Sequence, residues 1–204
     1  MLRLIGLCVL LCIVMPLWAA DAPMTIAEAR RSTDDAIQFL VMLNDKTADA
    51  YFHTGEWEKA VVALDREVVL QPAGIEAYAN AAWLLWSTGK DDAAMEFYQR
   101  MIAANPANPE AYFTVGGMFF NRRRYAEALP WLEKAVNLGL TGRERHVYGH
   151  CLRLLGRTAD ALAFWQKVLA EDPKDEVAKR EIERLSPKTP ADPAPPTQHD
   201  AKPQ

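Results

Sequence analysis

Residues 75–108, IEAYANAAWLLWSTGKDDAAMEFYQRMIAANPAN, run directly into 109–142, PEAYFTVGGMFFNRRRYAEALPWLEKAVNLGLTG, and the two align without a gap. The same phase extends from about Val41 to Asp175. Ala60, Ala94, Ala128 and Ala161 follow one another at steps of 34, 34 and 33 residues, each trailed four positions later by Leu64, Tyr98, Leu132 or Trp165. Pro72, Pro106 and Pro173 hold the same register. A fixed period of this length marks one supersecondary unit copied and stacked, because a lone helix pair cannot bury its own apolar face.

The residues behind the period resemble the tetratricopeptide repeat, a helix-turn-helix unit patterned Trp-x2-Leu-Gly-x2-Tyr, Ala-x3-Phe, Pro. The second copy supplies Tyr78, Ala81-Ala82, Leu85, Gly89, Ala94, Tyr98 and Asn105-Pro106; the third supplies Tyr112, Val115-Gly116, Phe119, Tyr125, Ala128 and Leu132. The first copy carries Thr47-Ala48, Tyr51, Gly55, Ala60, Leu64 and Pro72 with Asn44 in the aromatic slot. The fourth carries Tyr148-Gly149, Leu152, Gly156, Ala161, Trp165 and Asp172-Pro173 with Arg145 there. Deviant end copies are expected where one side faces solvent. The resemblance implies an all-α fold, a right-handed superhelical solenoid of about four repeats with a C-terminal capping helix. It specifies a scaffold and no single activity.

The spacing predicts helices at 39–54 and 57–70, 75–88 and 91–104, 109–122 and 125–138, and 143–155 and 158–171. Repeats then span about 41–74, 75–108, 109–141 and 142–175, with the array closing at 185. Ala82, Gly116 and Gly149 sit where a first helix must let its partner approach, with the repeated Ala opposite. Gly55, Gly89 and Gly156 suit a left-handed turn at the end of a first helix, whereas the third copy has Arg123, so that turn is either strained or differently shaped. Residues 21–40 read as a helical extension, because Thr25-x-x-Glu28 and Ser32-x-x-Asp35 both resemble capped starts and Ile37, Leu40, Val41, Ala48 and Tyr51 form a helical stripe. Ahead of Gly55 this predicts one elongated helix or two. Residues 175–185, with Ala178, Ile182 and Leu185 on one side, read as a cap over the fourth repeat.

Both termini differ in character from the repeats. Arg3, the apolar run Leu4 to Leu17 and the pair Ala19-Ala20 read as an export signal over 1–20, cleaved before Asp21, with retention of residues 4–20 as an inner-membrane anchor as the alternative. The expected location is periplasmic or secreted. Residues 186–204 hold six prolines in 19 positions and read as a disordered tail. Cys8 and Cys12 fall in the signal, which leaves Cys151 alone, expected to be a small buried residue.

Composition narrows the function classes. The formal charge of −4 becomes −5 once Arg3, the one charged residue among the first 20, is set aside, which argues against nucleic-acid binding. The run Arg122-Arg123-Arg124 is expected at a solvated turn. No phosphate-cradling glycine loop, nucleophile elbow or metalloprotease His-Glu pair occurs, so no catalytic residue, cofactor or metal site is expected. Asp34-Asp35 and Asp91-Asp92 are expected near helix starts, where acids complement the dipole.

What remains is the inner wall that the resemblance assigns to the first helix of each pair. In register it receives Phe52 and His53, Trp83 and Trp86, Phe113 and Phe120, then His146, His150 and Arg153. Aromatics at three- and seven-residue spacing share a helix side, and they either pack as core or form an apolar groove for a protein or peptide. The expected partner site is Phe52, Trp83, Trp86, Phe113 and Phe120, with His146, His150 and Arg153 at one end. Asp45, Asp49, Asn80, Glu110 and Thr114 do not reproduce the Lys, Arg and Asn clamp that binds terminal carboxylates in the family. Two other classes stay open: a homo-oligomerisation module, and a metal-binding protein using His146 and His150, spaced i, i+4.

Overall fold

The computed structural model describes residues 25–186; the expected export signal and almost all of the expected Pro-rich tail lie outside them. Nine α-helices occur among the described residues: α1 (Ile26–His53), α2 (Trp57–Leu70), α3 (Ile75–Ser87), α4 (Asp91–Ala104), α5 (Pro109–Asn121), α6 (Tyr125–Asn137), α7 (His146–Leu154), α8 (Thr158–Glu171) and α9 (Glu176–Leu185). Contacts divide the chain into two compact units, one ending at Pro72 and the other beginning at Ala73.

The first unit is the pair α1–α2. Its core is made of Ala48 from α1 and Ala60, Ala63, Leu64 and Val68 from α2. α1 is a single helix of 28 residues, opened by Thr25, whose hydroxyl accepts from the Glu28 N–H while the Glu28 carboxylate accepts from the Thr25 N–H. A second start at Ser32 is therefore not used, and Asp34-Asp35 lie inside α1 and not near its start. Continuous i, i+4 bonding costs less than breaking and renucleating a helix over so short a span.

The second unit is a helical solenoid of three helix pairs closed by α9. Small residues let each pair close: Ala82, Ala94, Ala128, Ala135 and Ala161 are fully buried. At Gly116 a methyl group would come within 2.7 Å of the Leu132 side chain, and at Gly149 within 2.5 Å of the Trp165 ring. The third and fourth pairs thus need glycine where their second helices carry Leu132 and Trp165. Trp165, wholly buried, centres a cluster with Leu152, Ala161, Val168 and Ala178, against which Ile182 and Leu185 of α9 pack. Such burial contributes roughly 25 cal/mol per Å² of apolar surface, the main term holding one pair to the next.

Four turns join the first helices to the second with one geometry. Gly55, Gly89 and Gly156 have φ of 75°, 75° and 73°, and Arg123 has φ of 61°. In each, the following residue's N–H reaches back five positions, as Lys90 to Leu85 at 2.9 Å and Arg124 to Phe119 at 3.0 Å. The third turn is therefore the strained alternative, since a left-handed backbone costs a non-glycine residue about 1 kcal/mol or more. Arg122 and Arg124 nevertheless have defined places: the Arg122 guanidinium lies 4.2 Å from the Trp86 ring centroid and that of Arg124 4.9 Å from Phe119.

One boundary departs from expectation. α7 begins at His146, three residues later than the spacing suggests, because Gly139 and Gly142, with φ of 96° and 69°, turn the chain between α6 and α7.

Candidate partner-binding face

The face presented by the first helices of the second unit follows from helical periodicity. Glu76 and Trp83, seven apart, share a side of α3; Glu110, Phe113, Gly117 and Phe120 share a side of α5. Trp83 keeps 49% of its surface exposed although tryptophan is usually well buried. Phe113 and Phe120 are half-buried, Phe120 leaning on Tyr125 with ring centroids 5.3 Å apart. Between them Gly117 leaves the wall bare, for an added methyl there would meet only the tip of Phe113, at 3.9 Å.

A cleft of about 480 Å³ opens where α3 and α5 begin and the α6–α7 connection passes. Ile75, Pro109, Phe113 and Leu140 give it apolar walls, and Glu76, Glu110 and Glu144 give it acid ones. Glu110 and Thr114 were legible as inner residues. Glu76 and Glu144 are additional to the expected inner residues: Glu76 stands 34 before Glu110 at the same repeat position, and Glu144 lies one place past that position in the fourth copy.

Other expected members of the site lie elsewhere. Trp86 is 8% exposed, a core residue set edge-on to Phe119 at 5.6 Å and covered by Arg122, so it does not line an open groove. Three residues from Trp83 on the helix, it points toward α4, where Tyr98 lies 6.5 Å away. Phe52 belongs to the first unit, at the end of α1, where its ring meets His53 at 5.5 Å and Trp57 at 5.6 Å. His53 in turn lies 3.3 Å from Asp49.

The fourth repeat corrects the sequence reading most. His146 is buried, and its Nε2 lies 2.7 Å from an Asp175 carboxylate oxygen. The other Asp175 oxygen accepts from the N–H groups of Val177 and Ala178, capping α9. Burial alone would raise the Asp175 pKa, but the Ala178 N–H and His146 together hold it below the usual carboxylate value. Arg153 Nε stands 3.2 Å from Glu181, which also accepts from Arg184 at 2.8 Å. Arg145 pairs with Glu171. These groups are thus turned toward α8 and α9, whose carboxylates they meet.

His146 and His150 both lie against Trp165, with centroids 5.3 and 5.1 Å away, and desolvation lowers the His150 pKa. Among the described residues no three His, Cys, Asp or Glu side chains converge as a metal site would require. Cys151 is fully buried, its thiol donates to the Tyr125 carbonyl of α6 at 3.3 Å, and burial pushes its pKa to about 11. Nor is any helix among the described residues long and apolar enough to cross a membrane.

Stacked helix pairs joined by identical turns define an α-solenoid. The family profile described as tetratricopeptide repeat matches residues 46–109 and 80–139, and the chain belongs to that repeat family. Among solved structures it is similar to MamA, with 17% identity and a TM-score of 0.53 over 72% of this chain and 80% of that one. It is also similar to PilF of Pseudomonas aeruginosa, with 23% identity and a TM-score of 0.51 over 74% and 68%. A third likeness is to a tetratricopeptide repeat protein of Parabacteroides merdae, with 17% identity and a TM-score of 0.50 over 78% and 62%. At these identities the likeness is one of fold. No curated protein matches the chain.

Proposed function

We propose that the protein is a non-enzymatic scaffold that holds a protein or peptide segment on the first-helix face of its second unit, between Trp83 and the cleft beside Phe113. The carrying observation is the combination of a half-exposed Trp83 with an apolar-walled cleft on the same face, since large apolar surfaces left open in a folded chain mark docking sites. Repeat arrays offer such extended surfaces because each unit contributes one helix to a common wall. Arg3 and the apolar run after it support an exported location, where assembly or maturation of an envelope complex is the setting proposed.

A photocrosslinker placed at position 83 tests the face in the native envelope, with position 99 on the outer helix α4 as control. A partner captured from 83 and not from 99 supports the assignment; the same partner captured from 99 alone sinks it. N-terminal sequencing checks the location, with Asp21 expected and an intact Met1 on soluble cytoplasmic protein contrary to it.

Self-association is the second reading, and α1 favours it. Phe39, Leu40, Met42 and Leu43 are each between 42% and 59% exposed on one helix. Sedimentation that quickens with concentration, and reverts in Leu43→Glu, would assign that surface to a second copy.

A further inference from the structure

We infer that the cleft at the starts of α3 and α5 receives an extended, positively charged segment of a partner, with Glu76, Glu110 and Glu144 as its charge contacts and Phe113 as its apolar contact. This rests on the face proposed above and adds the chemistry of what it binds.

Glu76 and Glu110 occupy one repeat position, 34 residues apart; Glu144 stands one place past Arg143, the counterpart in the shorter fourth copy, and all three carboxylates line the same cleft. A glutamate in a helix's first turn complements the dipole, which is reason enough for Glu76 and Glu110. It is no reason for Glu144, which precedes α7 and its N-cap Arg145. Two other first-turn acids are compensated by a cation. On the second helices, Glu127 takes Arg124 at 2.6 Å and Asp160 takes Arg157 at 2.7 Å. Among the described residues, Glu76, Glu110 and Glu144 form no ion pair, and no Lys or Arg lines the cleft. Three like charges beside apolar walls are therefore left uncompensated, and a cation entering between them is attracted by all three.

The walls set the rest of the ligand. Ile75, Pro109, Phe113 and Leu140 offer aliphatic and aromatic surface between the acids, so a cation alone leaves half the cleft unused. Packed helices stand about 8–10 Å apart, and three residues of extended chain cover about 10 Å. Lys or Arg at every third position, with an apolar residue between, matches both the charge step and the walls. A carboxylate-rich segment is repelled, which agrees with the absent Lys and Arg clamp.

The test uses the full chain and a capped ten-residue peptide with Lys at every third position and Leu and Ser between, compared with analogues carrying Glu or Ser in place of Lys, read by titration calorimetry. The Lys peptide should bind, the Glu analogue should not, and added salt should weaken binding. E76Q/E110Q/E144Q should lose about tenfold in affinity with an unchanged melting temperature. Gln in place of Glu96, Glu133 and Glu183, exposed elsewhere, should change it by less than about twofold; an equal loss there overturns the site in favour of net charge. Equal binding of the Lys and Ser peptides, unaffected in the cleft variant but lost in Phe113→Ala, overturns the charge chemistry and leaves the docking face standing. Binding that none of these substitutions alters overturns both, as does the failure of every peptide to bind.

Discussion

At its C-terminal end the second unit commits the polar side chains of a first helix to its own cap: His146 to Asp175, Arg153 to Glu181 and, through α8, Arg145 to Glu171. In its first two pairs, α3 and α5 occupy the same place in their repeats yet leave Glu76, Glu110 and Trp83 facing outward beside a cleft. One repeat pattern therefore serves closure in the last pair and exposure in the first two. The difference lies in what packs next. α9 and its N-cap bring Glu181 and Asp175 to the side chains of α7, and among the described residues nothing equivalent lies over the cleft side of α3 and α5. Side-chain chemistry at a repeat position thus carries no fixed role, and an inner histidine at the end of an array is read correctly only together with the cap.

The contrast should be plainest in the core. Trp165→Ala at the closed end should cost about 3–5 kcal/mol, as for large aromatic truncations in packed interiors. Phe113→Ala, half-buried at the cleft, should cost clearly less. Urea denaturation of both variants checks the order, and a larger loss at Phe113 would mean that the cleft wall and not the capped cluster organises the unit.

The acids sharpen the same comparison. Glu181→Gln should destabilise by about 1–2 kcal/mol, since it weakens the shared partner of Arg153 and Arg184 beneath the cap. Glu110→Gln should stay within about 0.5 kcal/mol, as surface changes away from packing and pairing do. If both melt alike, the division between closing and exposed charges fails.

Smaller still is the turn after α5. Arg123→Gly should stabilise by about 0.5–1 kcal/mol, because the relief of a left-handed backbone at φ 61° slightly exceeds the added freedom of the unfolded chain. An unchanged denaturation midpoint would mean that Arg123 recovers the strain through contacts of its own.

The closed end should also respond to acid first. His150 has its pKa lowered by burial, so the unfolded chain takes up a proton near the ordinary 6.5 that the folded chain refuses, and stability falls as pH drops through that value. Asp175, also lowered, adds a second loss below its ordinary 3.8 as the pH passes down through its folded value. His150→Gln should flatten the first part of this decline, and thermal melts between pH 7.5 and 5 measure it.

Much of the fold was legible because helix pairs impose spacing on residues that cannot be exchanged freely. α2, α4 and α8 fall where the period puts them, and Gly116 and Gly149 mark the close approaches because nothing larger fits against Leu132 and Trp165. Less of the site could be read. Trp83 and Trp86 are chemically identical and three positions apart, so only the placement of α4 and Phe119 separates wall from core. His146 needed a partner 29 residues away, at the N-cap of a helix whose stripe revealed its apolar side alone. Glu76 and Glu110 were visible as a period, but first-turn acids are so common, Asp91 and Asp92 among them, that only the cleft between them distinguishes these two.

Cys151 turns the boundary between the third and fourth pairs into a clock. Its thiol is sealed by packing and held to the Tyr125 carbonyl across that boundary, so a reagent in water can meet it only after α7 has parted from α6. With Cys8 and Cys12 changed to serine, the rate of alkylation at increasing reagent concentration would read the equilibrium for opening while it rises and the opening rate itself once it levels. Compared with the rate of global unfolding, that plateau tells whether the capped repeat peels away alone or leaves only when the whole array comes apart.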